Sequence, residues 1–138
     1  MTPPGAGRVQ LRALVFCREC RIAEAGVTLV DIHDTRLSAI FPATFPELWL
    51  YVSFEAPGPG VANLELQVTL PSQQSETVAS STVRVGEGRV VISPLDLGQF
   101  EFPALGRYDF SLYADGLLVG TSALNIELLA SALRREAN

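Results

Sequence analysis

The chain has 138 residues, of which 48% are apolar and 18% charged, and a formal net charge of −5. Such a length suits a single domain that buries roughly two thirds of the surface its unfolded chain would expose. The acidic balance excludes a nucleic-acid backbone as partner, because phosphate binding rests on clustered cations, and Arg134-Arg135, followed at once by Glu136, is the only basic pair in the sequence.

Residues 1 to 8, with Pro3, Pro4, Gly5 and Gly7, read as a flexible tail. They hold no apolar run of the kind a secretory leader needs, and no segment has the length of a membrane span. Arg supplies all ten basic charges and Lys none, a bias that reads as a G+C-rich bacterial genome. The expected compartment is a bacterial cytoplasm, with neither membrane nor nucleic acid as partner.

From Val9 onward, short apolar runs recur at nearly regular spacing between Gly, Pro, Ser and Asp, the pattern of a sandwich or barrel. Gln10 to Cys17 is apolar on both parities and reads as a central strand. Cys17-Arg18-Glu19-Cys20 has the spacing of a redox or zinc half-site, yet a thioredoxin-type motif needs a helix start and structural zinc needs about four ligands. The chain offers two Cys and one His in all. Three positions apart in a strand, the two thiols point to opposite faces, so neither a bridge, a metal nor a redox cofactor is expected.

Val27 to Ile32 forms the next run after a turn at Glu24-Ala25-Gly26, and His33 follows at its end in Asp31-Ile32-His33-Asp34. A catalytic base there would need a nucleophile within about 3 Å and an oxyanion hole. The sequence has no Gly-x-Ser-x-Gly elbow, and Asp34-Thr35 reads as a local turn. No catalytic residue is assigned. Leu37 to Phe41 is a weaker run, closed by Phe41-Pro42 and Phe45-Pro46 because each Pro removes a ladder donor.

Leu48 to Phe54 carries the candidate site. With Leu48, Leu50, Val52 and Phe54 facing a core, Trp49 and Tyr51 stand about 6 to 7 Å apart on the other face, since strand side chains repeat every second residue. Three explanations compete for such a pair: cover by a terminal helix or loop, a protein or self-association surface, and a stacking platform for sugars or other ligands.

Val61 to Leu70 alternates cleanly, with Leu64, Leu66, Val68 and Leu70 on one side and Glu65, Gln67 and Thr69 on the other. Pro71 to Glu76 is a polar loop, and the Ser/Thr-rich Thr77 to Val85 suits an edge strand. Gly86-Glu87-Gly88 leads into the strand-like Arg89 to Ile92, which makes it a turn; a phosphate cradle would need a helix after the glycines. Leu95, Leu97, Phe100 and Phe102 lie in an irregular connection. Asp96, Glu101, Asp109 and Asp115 fall near turns as solvated charge, without the dense acidic loop that calcium requires.

Gly106 to Val119 is a hairpin around Asp115-Gly116. A three-residue Ala114-Asp115-Gly116 loop would pair Leu112 with Leu118 and bury Leu118, Leu124 and Ile126 without a bulge at Gly120. Residues 128 to 138 have the composition of a short helix.

The expected fold is a two-sheet antiparallel β-sandwich of about eight or nine strands, immunoglobulin-like or jelly-roll-like, over residues 9–127, with a tail at 1–8 and a short helix or tail at 128–138. Arg12-Ala13-Leu14-Val15-Phe16-Cys17-Arg18-Glu19, Val27 to Ile32 leading to Asp34-Thr35, Phe41-Pro42-Ala43 before Leu48 to Val52, and Gly106-Arg107-Tyr108-Asp109-Phe110 occur in this order. That succession resembles an uncharacterised bacterial all-β domain family of unknown function, over about residues 10 to 127. The resemblance implies the fold and transfers no catalytic residue. The expected function is a non-enzymatic protein-binding or scaffolding domain, homo-oligomeric and without a cofactor. The alternative is a ligand-binding module for carbohydrate or a small apolar molecule. A hydrolase would need His33 to meet a Ser or Asp from a distant strand.

Overall fold

The computed structural model describes residues 9–56, 58–86 and 90–130, and strands dominate it. In chain order they are β1 (Gln10–Cys17), β2 (Glu19–Ala23), β3 (Gly26–Val30), β4 (Thr35–Ser38), β5 (Trp49–Glu55), β6 (Gly60–Thr69), β7 (Ser75–Val85), β8 (Val90–Ile92), β9 (Leu95–Asp96), β10 (Gly106–Ala114) and β11 (Leu117–Leu128). One sheet runs β1-β5-β8 with β9 also on β5, a second runs β4-β11-β10-β6-β7, and β2-β3 is a separate hairpin. β7 lies at a sheet edge, as its Ser and Thr content predicts.

The two larger sheets share one core. Leu14, Phe16, Leu50, Val52 and Phe54 enter it from one side, and Leu64, Leu66, Val68, Tyr108, Phe110, Leu112, Leu124 and Ile126 from the other. Each fully buried Leu or Phe contributes about 1.5–3 kcal/mol. Phe16 of β1 meets Phe110 of β10 edge-on at 5.2 Å between ring centres, which ties sheet to sheet. Phe102 packs edge-on against Phe100 at 4.7 Å and against Tyr108 at 4.8 Å, and such pairs add about 0.5–1.5 kcal/mol beyond their area. The Tyr108 hydroxyl donates to the Ala104 carbonyl at 2.6 Å and accepts from the Ala104 amide at 3.2 Å. An irregular connection is thereby fastened to the start of β10.

Several expectations are corrected. Eleven strands are present among the described residues, and β4 pairs with β11 in parallel while the other ladders are antiparallel. β4 finds its partner some ninety positions along the chain, at Asn125–Leu128, so no local turn signals it. β1 is an edge strand; its residues are apolar on both parities because Cys17 is fully, and Val15 partly, covered on the outer side. The second run stops at Val30, since Asp31 takes a left-handed φ of 54° and leaves Ile32 63% exposed.

The β10-β11 turn has two residues, Asp115 and Gly116, with φ of 49° and 83°. Its flanking pair is Ala114 with Leu117, and a bulge then sets Leu112 opposite Gly120. The tight turn follows the strand twist, and the bulge restores Leu124 and Ile126 to the core. Leu118 is left 59% exposed. A side chain at Gly120 would run into the end of the Leu11 side chain, so the bulge falls where the edge of the other sheet packs closely. At the carboxy end β11 extends to Leu128 and only Leu129 and Ala130 are helical. The remainder of the expected helix, like the tail at 1–8 and the turn at Glu87-Gly88, lies outside the described residues.

Candidate functional site

β5 positions both candidate side chains. Leu50, Val52 and Phe54 have no exposed surface, and the strand period therefore sends Trp49 and Tyr51 to the opposite face, where both are half-buried. Register widens that face sideways, because cross-strand partners share a side. Cys17 of β1 and Asp96 of β9 flank Trp49, Val15 of β1 flanks Tyr51, and Ala13 of β1 and Ile92 of β8 flank Ser53. The result is a strip of apolar and aromatic side chains along the outside of the smaller sheet. Neither Trp49 nor Tyr51 is held by a ring contact or a side-chain hydrogen bond among the described residues. Sequence periodicity places the two rings together; Val15, Ile92, Cys17 and Asp96 join them only through register.

The strip is closed at its Trp49 end. Cys17 has no exposed surface, yet it lies apart from the main core; its sulfur touches that of Cys20 at 3.3 Å. The expectation that these thiols face apart fails because the chain bends at Arg18, so Cys17 ends one strand and Cys20 belongs to the next. The Arg18 amide donates to the Val30 carbonyl at 2.9 Å, and its guanidinium meets Asp31 at 2.7 Å and Glu47 at 3.6 Å. Burial, with the neighbouring Cys17 thiol, pushes Cys20 up to about 12.

His33 lies elsewhere, joined to β1 by a bridge in which its amide donates to the Phe16 carbonyl at 3.0 Å. Its Nδ1 is 2.7 Å from the Asp31 carbonyl, which makes Nδ1 the protonated nitrogen of the neutral ring. Nε2 is buried without a partner among the described residues, and burial lowers the ring's pKa. A cleft of about 340 Å3 is lined by Val15, Phe16, Ile32, His33, Asp34, Ser122 and Ala123. Topology thus brings Ser122 and Asp34 to the same cleft as His33. With Nδ1 on a backbone carbonyl and no hydroxyl bonded to Nε2, the hydrogen-bonded sequence that activates a nucleophile is not assembled.

The four carboxylates read as solvated charge do not all gather in one place. Asp109 pairs with Arg107 at 2.9 Å, and Asp115 accepts from the Asn63 amide at 3.1 Å, tying hairpin to β6. Asp96 accepts from the Gly98 amide at 2.8 Å. Asp96 and Glu101 share a cleft of about 690 Å3 with Glu76, Thr77, Val78 and Phe100, a meeting invisible in the sequence because Glu76 arrives from β7. Among the described residues no group of three or more His, Cys, Asp or Glu side chains is placed to hold a metal ion, and no helix is long and apolar enough to cross a membrane.

Comparison with known proteins adds the fold and little else. No protein-family model matches the chain and no curated protein matches it, in keeping with resemblance to a family without an assigned activity. Among solved structures, the chain is similar to part of the Bifidobacterium adolescentis GH3 beta-glucosidase, with a TM-score of 0.56 and 6% identity over 86% of this chain and 17% of that one. It is similar to part of the beta-D-glucoside glucohydrolase of Trichoderma reesei, with a TM-score of 0.56 and 11% identity over 86% of this chain and 18% of that one. A third likeness is to the Pseudomonas fluorescens alkylpurine DNA glycosylase AlkC, with a TM-score of 0.51 and 9% identity over 87% and 30% of the two chains. The chain spans less than a third of each of these proteins, and at such identities the likeness is one of fold.

Proposed function

We propose that this chain is a non-enzymatic protein-binding or scaffolding domain of the bacterial cytoplasm, in which the outer face of β1, β5, β8 and β9 joins a second copy of the chain through Trp49 and Tyr51. One observation carries the reading: two large rings stand side by side on a sheet surface, half-buried, with Val15 and Ile92 continuing the apolar strip. Trp and Tyr are the side chains on which interface energy concentrates, and a low charged fraction of 18% lessens the desolvation that association costs. We take the two large sheets to form an immunoglobulin-like sandwich; the Tyr108 hydroxyl bonded to the backbone at Ala104 supports this, being the tyrosine corner such sandwiches use.

Size-exclusion chromatography with light scattering on the wild type and on Trp49→Ala tests the function. The wild type is expected to assemble and the variant to run as a monomer. A wild type that stays monomeric at high concentration overturns the proposal. A second reading, a platform for carbohydrate or a small apolar molecule, draws on Asp96 beside Trp49, a polar group next to a ring of the sort that orients a bound ligand. A monomer whose Trp49 emission shifts on adding glycans would favour it.

A further inference from the structure

We propose that Cys17 and Cys20 form a reversible intrachain disulfide that clasps β2 to the end of β1. The bend at Arg18 already brings their sulfur atoms into contact at 3.3 Å, and it is fixed independently of them. Arg18 N–H bonds Val30, its guanidinium bridges Asp31 and Glu47, and Glu19 and Cys20 pair in register with Val30 and Leu29 of β3. Two groups held together in this way react as though at very high local concentration. Cys17 has no exposed surface while Cys20 is partly exposed, so the roles divide: Cys20 meets the external oxidant and Cys17 resolves. Burial of Cys17 also keeps it from bonding to a second chain.

With a small-molecule disulfide such as oxidised glutathione, the step balances as thiol–disulfide exchange. Cys20 loses its proton and its sulfur attacks one glutathione sulfur. The glutathione S–S bond breaks, one glutathione leaves and takes up a proton, and the other remains on Cys20. Cys17 loses its proton and attacks the Cys20 sulfur, which forms the Cys17–Cys20 bond and expels the second glutathione as a thiol. Two cysteine thiols are oxidised and one glutathione disulfide is reduced. The high pKa of Cys20 keeps its thiolate scarce at neutral pH, so exchange is slow there and accelerates as the solution becomes alkaline. Because the bridge closes so short a loop, it restrains little of the unfolded chain, which suits a clasp that opens and shuts.

The test incubates the reduced full chain with reduced and oxidised glutathione, quenches with acid, and reads intact mass, free thiols and fluorescence. The wild type is expected to lose two hydrogens and both thiols per chain without retaining glutathione, with Trp49 emission falling because its cross-strand neighbour Cys17 becomes part of a quenching disulfide. Cys17→Ser is expected to stop at one glutathione on Cys20. A wild type that keeps glutathione on Cys20, keeps both thiols, or links chain to chain overturns the proposal. Should the variant fail to fold, wild-type mass and thiol count decide alone. The intact mass and the free-thiol count do not depend on association through Trp49, so either proposal can fail while the other stands.

Discussion

Leu50, Val52 and Phe54 on the inner face of β5 have no exposed surface, while Trp49 and Tyr51, interleaved with them, are half-buried on the outer face. Both sets hang from one backbone with one pattern of ladder bonds. What differs is the layer opposite: the five-stranded sheet covers the inner set, whereas among the described residues the β2-β3 hairpin meets the outer set at its edge, where Cys20 touches Cys17. The inner face accordingly carries most of the folding energy, and the outer face is the one proposed to meet a second copy.

The largest effect expected from separating the two faces is on stability. Phe54→Ala should cost about 3–5 kcal/mol, through lost transfer energy and a cavity, measured by urea unfolding. Trp49→Ala should cost about 1 kcal/mol, since a half-buried ring gives up only part of its burial energy, and should abolish assembly. Equal stability losses would break the distinction. Tyr108→Phe leaves the amide and carbonyl of Ala104 without their partner; a loss of about 1–3 kcal/mol follows, with assembly of the folded variant unchanged. At Gly116, whose φ is 83°, Ala is strained and should cost about 1 kcal/mol, confined to the β10-β11 turn.

The smallest effect is that of acid. Burial holds the folded His33 below the ordinary histidine value, so the unfolded chain takes up its proton first, near pH 6.5. The contribution of His33 is complete above that pH and is lost as pH falls through the unfolded value towards the folded one. Thermal melts between pH 5 and 8 should show this slope for the wild type and a flatter one for His33→Gln, with the mass of the assembly at pH 8 the same for both.

Strands whose faces differ announced themselves locally. The alternation of Leu64, Leu66 and Val68 with Glu65 and Gln67 states which side of β6 is buried, and the same logic separates Trp49 and Tyr51 from the core. Pairing across long stretches of chain leaves no such trace: the parallel β4-β11 ladder and the meeting of Glu76 with Asp96 and Glu101 arise from topology. At the hairpin, favourable burial of Leu124 and Ile126 was legible, but it could be met by a longer loop or by a bulge, and the close approach of Leu11 to Gly120 is a tertiary contact. The contact between Cys17 and Cys20 was hidden for a related reason, because strand periodicity predicts facing only while the strand continues, and this one bends at Arg18.

Trp49 is the one tryptophan in the chain, so its emission reports on the outer face of β5 alone. Recorded in reducing buffer as protein concentration rises, that emission should move to shorter wavelength in step with the increase in mass, as the ring passes from half-exposed to covered. An emission maximum that stays constant while mass rises, or a mass that never rises, would contradict the assignment of this face to association.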